Sequence, residues 1–346
     1  MKSAITWIQK NLAPTPFQAI LSLIGFLLSG WVVRSLIQWG IIDATFIASS
    51  MSECGVHGAC WAIIYNRWQQ FLYGFYPLSE IWRVNLSFLI LVICFILITI
   101  RKDNLVRKIV ILIIGVITLL SLLLGGIFDL PYIKTDLWGG LSLTIFLSLG
   151  GIIGAFPLAL LLALGRQSDL YIVKLICVTF IEIIRGVPLI SVLFMASFML
   201  PLFLPEGFHI DKLFRALVGI TFFQAAYLAE VIRGGLNTIP KGQYEASQSL
   251  GLNYFQMMQH VILPQALRLI IPGIVNTFIA LFKDTTLVMI IGILDFLGII
   301  QTAITDPKWI GAALEAYIFC AFVYWVCCFA MSLYSKHLES KLRIKY

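Results

Sequence analysis

Gly242-Gln243-Tyr244-Glu245-Ala246-Ser247-Gln248-Ser249-Leu250-Gly251, running on to Val261-Ile262-Leu263-Pro264-Gln265-Ala266, is a polar, helix-favouring island between long apolar runs. Glu245, Ala246, Gln248 and Leu250 predict a short amphipathic helix, which Gly251 breaks. Phe255, Gln256, Met257, Met258 and Gln259 begin a second helix, expected to end at Pro264. A folded polar loop of this kind can be grasped from outside by another subunit.

The apolar runs decide the solvent. With 60% hydrophobic and only 12% charged residues and a mean hydropathy of +0.96, the chain is a bilayer protein, since soluble globules carry about 25% charge. Stretches of about 20 apolar residues, enough to cross roughly 30 Å of hydrocarbon as helix, fall near 17–39, 84–100, 109–128, 141–164, 186–204, 213–233, 266–292 and 313–335. They are continuous rather than alternating, so eight spanning helices are expected instead of barrel strands.

Lysine and arginine set the orientation. With the amino terminus inside, the inner segments hold Lys2, Lys10, Arg101, Lys102, Arg107, Lys108, Arg166, Lys174, Arg185, Arg233, Lys241, Arg268, Lys336, Lys341, Arg343 and Lys345. The outer segments hold only Arg67, Arg83, Lys134, Lys212, Arg215 and Lys308. This bias places both termini and the Glu245 loop in the cytoplasm. The net charge of +7 is therefore a topology signal, and no basic run interleaved with aromatics argues for nucleic acid. A cleavable leader is disfavoured because Phe17 to Trp39 is too long for one.

The organisation expected is an amino-terminal three-helix extension over 1–130, with a large outer loop at about 40–83, followed by a five-helix core over 131–346 carrying the loop at about 240–265. Trp61, Tyr65, Trp68, Phe71, Tyr73, Phe75, Tyr76 and Trp82 give the outer loop the look of an interface-lying aromatic lid. Its Cys54 and Cys60 sit where an oxidising compartment permits a disulfide; free thiols are the alternative, and a metal site would have only His57 as a further ligand. Arg185-Gly186-Val187-Pro188 predicts a bend, with an interfacial helix before it and a span after it. It leaves Glu182 and Arg185 as an i, i+3 pair near the inner headgroups.

Several blocks together resemble the polar amino acid permeases of the histidine and glutamine importer type. They are Thr135-Asp136-Leu137-Trp138-Gly139-Gly140, Glu182-Ile183-Ile184-Arg185-Gly186-Val187-Pro188, Ala229-Glu230-Val231-Ile232-Arg233-Gly234-Gly235, Leu263-Pro264-Gln265-Ala266 and Leu281-Phe282-Lys283-Asp284-Thr285-Thr286-Leu287-Val288. The Glu245 loop resembles the Glu-Ala-Ala coupling loop of such permeases, departing from it at Ser247. Gly58-Ala59-Cys60-Trp61 and Phe71-Leu72-Tyr73-Gly74-Phe75-Tyr76-Pro77 narrow the resemblance to general L-amino acid permease subunits.

The resemblance implies an all-α, multi-pass transmembrane subunit of a type I ABC importer in a bacterial inner membrane. Its implied partners are a second permease, with a heterodimer favoured over a homodimer, two cytoplasmic ATP-binding subunits and a periplasmic amino acid-binding protein. ATP and Mg would belong to the ATPase subunits, and no cofactor or metal to this chain; no G-x-x-x-x-G-K-[ST] loop occurs in it. Coupling would fall to Tyr244, Glu245, Ala246, Ser247, Gly251, Met257, Met258, Ile262, Leu263 and Pro264, the methionines supplying an adaptable apolar contact.

Within the membrane, Lys283 and Asp284 are ionisable residues in the outer part of the seventh span, with Asn276 and Thr277 two turns below and Thr285 adjacent. Such a stripe offers a cation and an anion to a zwitterionic amino acid. The competing reading is that the two charges neutralise each other or pin neighbouring helices. Gln224 and Tyr227 form a second polar face on the sixth span, readable as pathway or as interhelical glue. A stand-alone secondary transporter or channel would show inverted repeats. A membrane enzyme would cluster its titratable groups, whereas His57, His209, His260 and His337 are scattered.

Overall fold

In hydrocarbon each backbone N–H and C=O needs a partner within the chain, and continuous apolar runs meet that need as helices. The computed structural model describes residues 11, 14–100, 105–126, 129–205, 207 and 209–342. Lys2, Lys10, Arg101, Lys102, Arg343 and Lys345, which contribute to the charge bias, lie outside these residues. Among the described residues the structure is helical, with three isolated β-bridges and no extended strand. Among the described residues seven helices are long and apolar enough to span a membrane, or eight if a bent pair is taken as one span. The helical class and the span count expected from hydropathy are thus observed.

By internal contacts the chain falls into two units, Met1–Trp68 with Ala303–Phe319, and Gln69–Thr302 with Cys320–Tyr346. The first unit begins with α1 (Pro16–Ile37), opened by Thr15, whose hydroxyl accepts from the Gln18 amide, with Pro16 in the first turn. A π-helical turn carries it to Ile42. No residue of α1 is buried. Cys54 and Cys60 are joined by a disulfide, their Cα atoms 5.7 Å apart. Here the outer loop is packed rather than spread as a lid: Ala59, Cys60, Ala62 and Ile63 are buried, Trp61 donates from Nε1 to the Gly40 carbonyl, and Arg67 pairs with Asp306. Tyr65 and Trp68, on α2 (Ala62–Tyr73), stay exposed.

In the second unit α3 (Ile81–Ile100) and α4 (Leu105–Leu124) form a helical hairpin. Arg83, expected at an outer boundary, is instead fully buried; its Nε donates to Leu122 O and its Nη1 to Pro131 O, at 2.6 and 3.0 Å. Its guanidinium thereby caps carbonyls at the end of α4 and in the loop beyond. α5 (Gly140–Arg166) starts where its preceding loop crosses the end of α2, and at this crossing Gly74 and Gly140 hold left-handed φ values of +66° and +67°. A Cβ on Gly74 would lie 2.4 Å from the Gly139 Cα and one on Gly140 2.4 Å from the Phe71 carbonyl, so this crossing requires glycine.

α6 (Tyr171–Gly186) and α7 (Leu189–Phe194), the latter extended by π and 3-10 turns to Phe203, meet at a 105° bend. The Gly186-Val187-Pro188 break predicts this, because the residue before proline avoids the helical region. α8 (Lys212–Asn237) starts at Asp211, whose carboxylate accepts from the amides of Leu213 and Phe214. It packs along α5 on a seam of small residues, with Gly151, Ala155, Ala159 and Ala163 of α5 buried alongside Ala225, Ala226, Ala229 and Gly235 of α8. Lipid provides no hydrophobic drive between helices, so close backbone approach and van der Waals contact hold such a seam.

The remaining elements are α9 (Lys241–Ser249), α10 (Tyr254–Met257), α11 (Leu263–Leu269), α12 (Ile271–Asp284), α13 (Phe296–Ile304) and α14 (Ala313–Leu342). The seventh span is shorter than its apolar run: it covers Ile271–Ile291, because Pro272 restarts the helix after Ile270 and the end tightens into a 3-10 segment, Thr285–Ile291, stopped by Gly292.

Candidate functional site: a coupling loop and a polar stripe

The polar island folds as a helix, a turn and a second helix. α9 ends where Gly251 takes φ +77°, a left-handed stop that glycine adopts freely. Asn253 then opens α10 with a capping box: its side chain accepts from the Gln256 amide while the Gln256 side chain accepts from the Asn253 amide. The Asn-x-x-Gln spacing was readable in the sequence. Pro264 does not end the second helix. A π-helical segment, Met258–Ile262, follows α10, and Pro264 sits in the first turn of α11, which continues to Leu269. The missing proline N–H costs nothing in a first turn, which explains the continuation.

Exposure redistributes the roles expected of this loop. Glu245, Ala246 and Gly251 are exposed. Tyr244, Leu263 and Pro264 are half-buried. Ser247, Met257, Met258 and Ile262 are buried in the chain's own core, the Ser247 hydroxyl donating to Gln243 O. The methionines therefore offer no surface to a partner; they hold the loop against α5 and α8 residues such as Ala163, Ile232 and Leu236. The exposed apolar groups are Leu250, Tyr254 and Phe255, at 79%, 59% and 73%. Leu250 and Phe255 belong to the helical pattern of the sequence, and Tyr254 joins them in the fold. Burial pushes the phenols of Tyr244 and Tyr254 above their ordinary range, so both remain neutral donors.

Beneath the loop lies an ion cluster. Glu230 accepts from Arg233 Nη2 at 3.0 Å, pairs with Arg166 Nη1 at 2.9 Å and has Arg185 Nη1 at 3.7 Å. Arg166 Nη1 also reaches Glu182, at 2.9 Å. The expected Glu182–Arg185 pair is thus replaced by crossed pairs that tie α5, α6 and α8 together. Arg185, near the end of α6, places its guanidinium 5.5 Å from the Tyr227 ring centre of α8.

Of the membrane residues, Gln224 is buried and donates from Nε2 to the Thr277 carbonyl at 2.7 Å, bridging α8 and α12, and Thr277 turns its hydroxyl to Gly273 O. Tyr227 is partly exposed, at 38%. Asn276 and Lys283 are exposed along α12, Asp284 is half-buried, and Thr285 is buried with its hydroxyl on Phe282 O. Among the described residues no ion pair joins Lys283 to Asp284. The structure assembles Gln224 with Thr277, and leaves Asn276 and Lys283 facing outward.

One buried polar group gave no sequence signal. Asp295 caps α13 by accepting from the Gly298 amide at 2.9 Å and takes a hydrogen bond from the Tyr324 hydroxyl at 3.1 Å, while Thr144 Oγ1 accepts from the Phe296 amide. Burial raises its carboxyl above the usual range.

A multi-pass helical fold with a polar helix-turn-helix between its sixth and seventh spans defines the membrane subunit of an ABC importer. Residues 155–344 match the family described as binding-protein-dependent transport system inner membrane component, and the chain belongs to that family. It is 47% identical over 343 residues to the inner membrane amino-acid ABC transporter permease protein YhdY of Escherichia coli K12, covering 98% of this chain and 93% of the relative. It is 37% identical to the glutamate/glutamine/aspartate/asparagine transport system permease protein BztC of Rhodobacter capsulatus, covering 98% and 94%. Among solved structures, one titled "Crystal structure of an amino acid ABC transporter with histidines" superposes with a TM-score of 0.52 at 29% identity, covering 58% of this chain and 92% of that one. The chain is therefore a transport permease of an inner membrane, with ATP hydrolysis on a separate subunit of such importers.

Proposed function

We propose that this permease carries L-amino acids delivered by a periplasmic binding protein, and that the loop from Lys241 to Leu263 receives the force of ATP hydrolysis in the cytoplasm. The observation that carries this reading is the exposed surface of Glu245, Ala246, Leu250, Tyr254 and Phe255, set on two short helices whose other side is anchored in the core by Ser247, Met257, Met258 and Ile262. Apolar anchors beside a carboxylate, on a rigid base, suit a protein partner. The charge bias supports cytoplasmic termini, and the named relatives support amino acid cargo. Asn276 and Lys283 are outward-facing polar groups within a span, so the cargo path runs where α12 meets a second permease, one of different sequence in the reading favoured here. Gln224 braces that helix from α8 by its bond to the Thr277 carbonyl, and Tyr227, Asp284 and Thr285 are kept in the proposed path.

The test is Gly251→Val in the reconstituted importer. No neighbouring atom lies within 4 Å of an added Cβ, so the effect comes from the φ of +77° alone, which a β-branched residue resists at a cost of about 1–3 kcal/mol. The two helices must reorient, and hydrolysis stimulated by loaded binding protein should fall about tenfold or more, the factor that roughly 1.4 kcal/mol represents. Insertion and subunit assembly should stay normal. Full stimulated hydrolysis in an assembled variant would refute the coupling role.

A further inference from the structure

At the loop end of the spans, a cleft of about 630 Å3 is lined by Arg166, Gln167, Lys174, Arg233, Asn237 and Tyr244, together with Val178, Leu236 and Ile239. Three cations line it and no carboxylate does. Behind it, Glu182 and Glu230 face Arg166, Arg185 and Arg233, so with Lys174 four positive charges meet two negative ones. The bonds already made leave donors over. Arg166 spends Nη1 on both carboxylates and Arg233 spends Nε and Nη2 on Glu230. Among the described residues, Lys174 makes no ion pair. The Gln167 amide and Asn237, joined at 2.9 Å, close one wall.

The surroundings are those of a membrane surface. Arg166 is the last residue of α5, Asn237 the last of α8, and α6 presents Tyr171, Ile172, Leu175, Ile176 and Ile183 outward, each at least half exposed. Lys174 and Val178 lie one turn apart on its opposite, cleft-facing side. An amphipathic helix with an apolar outer side and a cation-lined recess behind it fits a lipid whose chains lie along the apolar side and whose headgroup enters the recess.

We infer that this cleft binds the phosphate of an anionic phospholipid headgroup, held by Lys174 and by the spare donors of Arg166 and Arg233. Tyr244 brings it to the wall of the coupling helix α9. A bound headgroup would therefore stiffen the base on which that helix stands.

Lys174 is the residue to vary, because its ammonium supports no ion pair in the fold. Lys174→Gln and Lys174→Arg would be compared with the parent as full chains in nanodiscs of equimolar phosphatidylglycerol and phosphatidylcholine, with retained lipid counted by native mass spectrometry. The parent should retain phosphatidylglycerol in excess; Lys174→Gln should lower that excess about fivefold, as one cation near an anionic surface implies, and Lys174→Arg should restore it. An unchanged excess in Lys174→Gln would overturn the proposal. So would binding of radiolabelled inorganic phosphate by the chain in pure phosphatidylcholine that is lost in Lys174→Gln, which would make the ligand a free anion. Dissociation of the ATPase by Lys174→Gln with lipid retention unaltered would place an acidic side chain of that subunit in the cleft and also overturn it.

Discussion

Replacing Glu230 with Gln removes one carboxylate, takes the carboxylate partner from Arg185 and Arg233 and leaves Arg166 with Glu182. Glu230 keeps only 16% of its side chain exposed, receives the Arg233 Nη2 bond at 3.0 Å, pairs with Arg166 Nη1 at 2.9 Å, and lies 3.7 Å from Arg185 Nη1. Hydrogen bonds to charged groups contribute about 1.5–3 kcal/mol each, and leaving one member of a buried pair uncompensated costs about 3–5 kcal/mol. The arginines are 22–35% exposed and can recover some hydration. We therefore expect a loss of about 2–4 kcal/mol, a roughly thirtyfold to several hundredfold drop in the folding equilibrium constant. Glu182→Gln is the control. Glu182 is 55% exposed and, among the described residues, forms its ion pair with Arg166, so about 0.2–1 kcal/mol is expected. The assay is unfolding of the purified chain in mixed micelles by increasing mole fraction of dodecyl sulfate, followed by loss of helical circular dichroism. Equal midpoints for Glu230→Gln and Glu182→Gln would refute the view that Glu230 is the hub.

Two further outcomes are expected. If the α12 stripe guides a zwitterion, Lys283→Met should lower uptake by about tenfold or more with assembly intact, and the double change Lys283→Met with Asp284→Asn should not recover it; recovery in the double variant would show that the two charges merely balance each other in the assembled importer. With Cys54 and Cys60 bridged, a membrane-impermeant maleimide should label neither in intact cells stripped of their outer membrane until reductant is added; labelling without reductant would contradict a standing bridge.

The features legible in the sequence were those written in local patterns. Hydropathy located the spans, Gly186 and Pro188 located the bend, and Gly251 located the turn of the coupling loop, because each rests on backbone chemistry of a few adjacent residues. What escaped was side-chain partnership across the fold. Glu182 and Arg185 sit at a helical pairing distance, yet each pairs elsewhere, since α8 brings Glu230 to Arg185 and α5 brings Arg166 to Glu182. Met257 and Met258 sit in a polar loop, but they pack inward against residues of α5 and α8 that are distant in the sequence. Arg83 and Asp295 are charged residues near the ends of apolar runs, where exposure is the ordinary expectation, and only the fold supplies the carbonyls and hydroxyls that make their burial affordable.

α8 is where the two halves of the proposed mechanism meet. Going down this helix, Gln224 holds the α12 backbone at Thr277, Tyr227 lies under Arg185 of α6, Glu230 gathers arginines from α5, α6 and its own next turn, and Gly235 presses against Ala266 and Ile270. The Thr238 turn then leads through Pro240 directly into α9. Successive turns of one helix thus grip different neighbours, and each grip is polar or glycine-tight, so α8 cannot slide past any of them without breaking a bond of a few kcal/mol. A displacement imposed on α9 is therefore delivered to α5, α6 and α12 as one body. The far end of α12 differs. There the helix tightens into the 3-10 segment after Asp284 and stops at a left-handed Gly292, a short-range geometry with weaker hydrogen bonds than an α-helix. Movement driven from the loop would accumulate at that softer end, beside Lys283 and Asp284, where a zwitterion handed over by a binding protein would enter the proposed path.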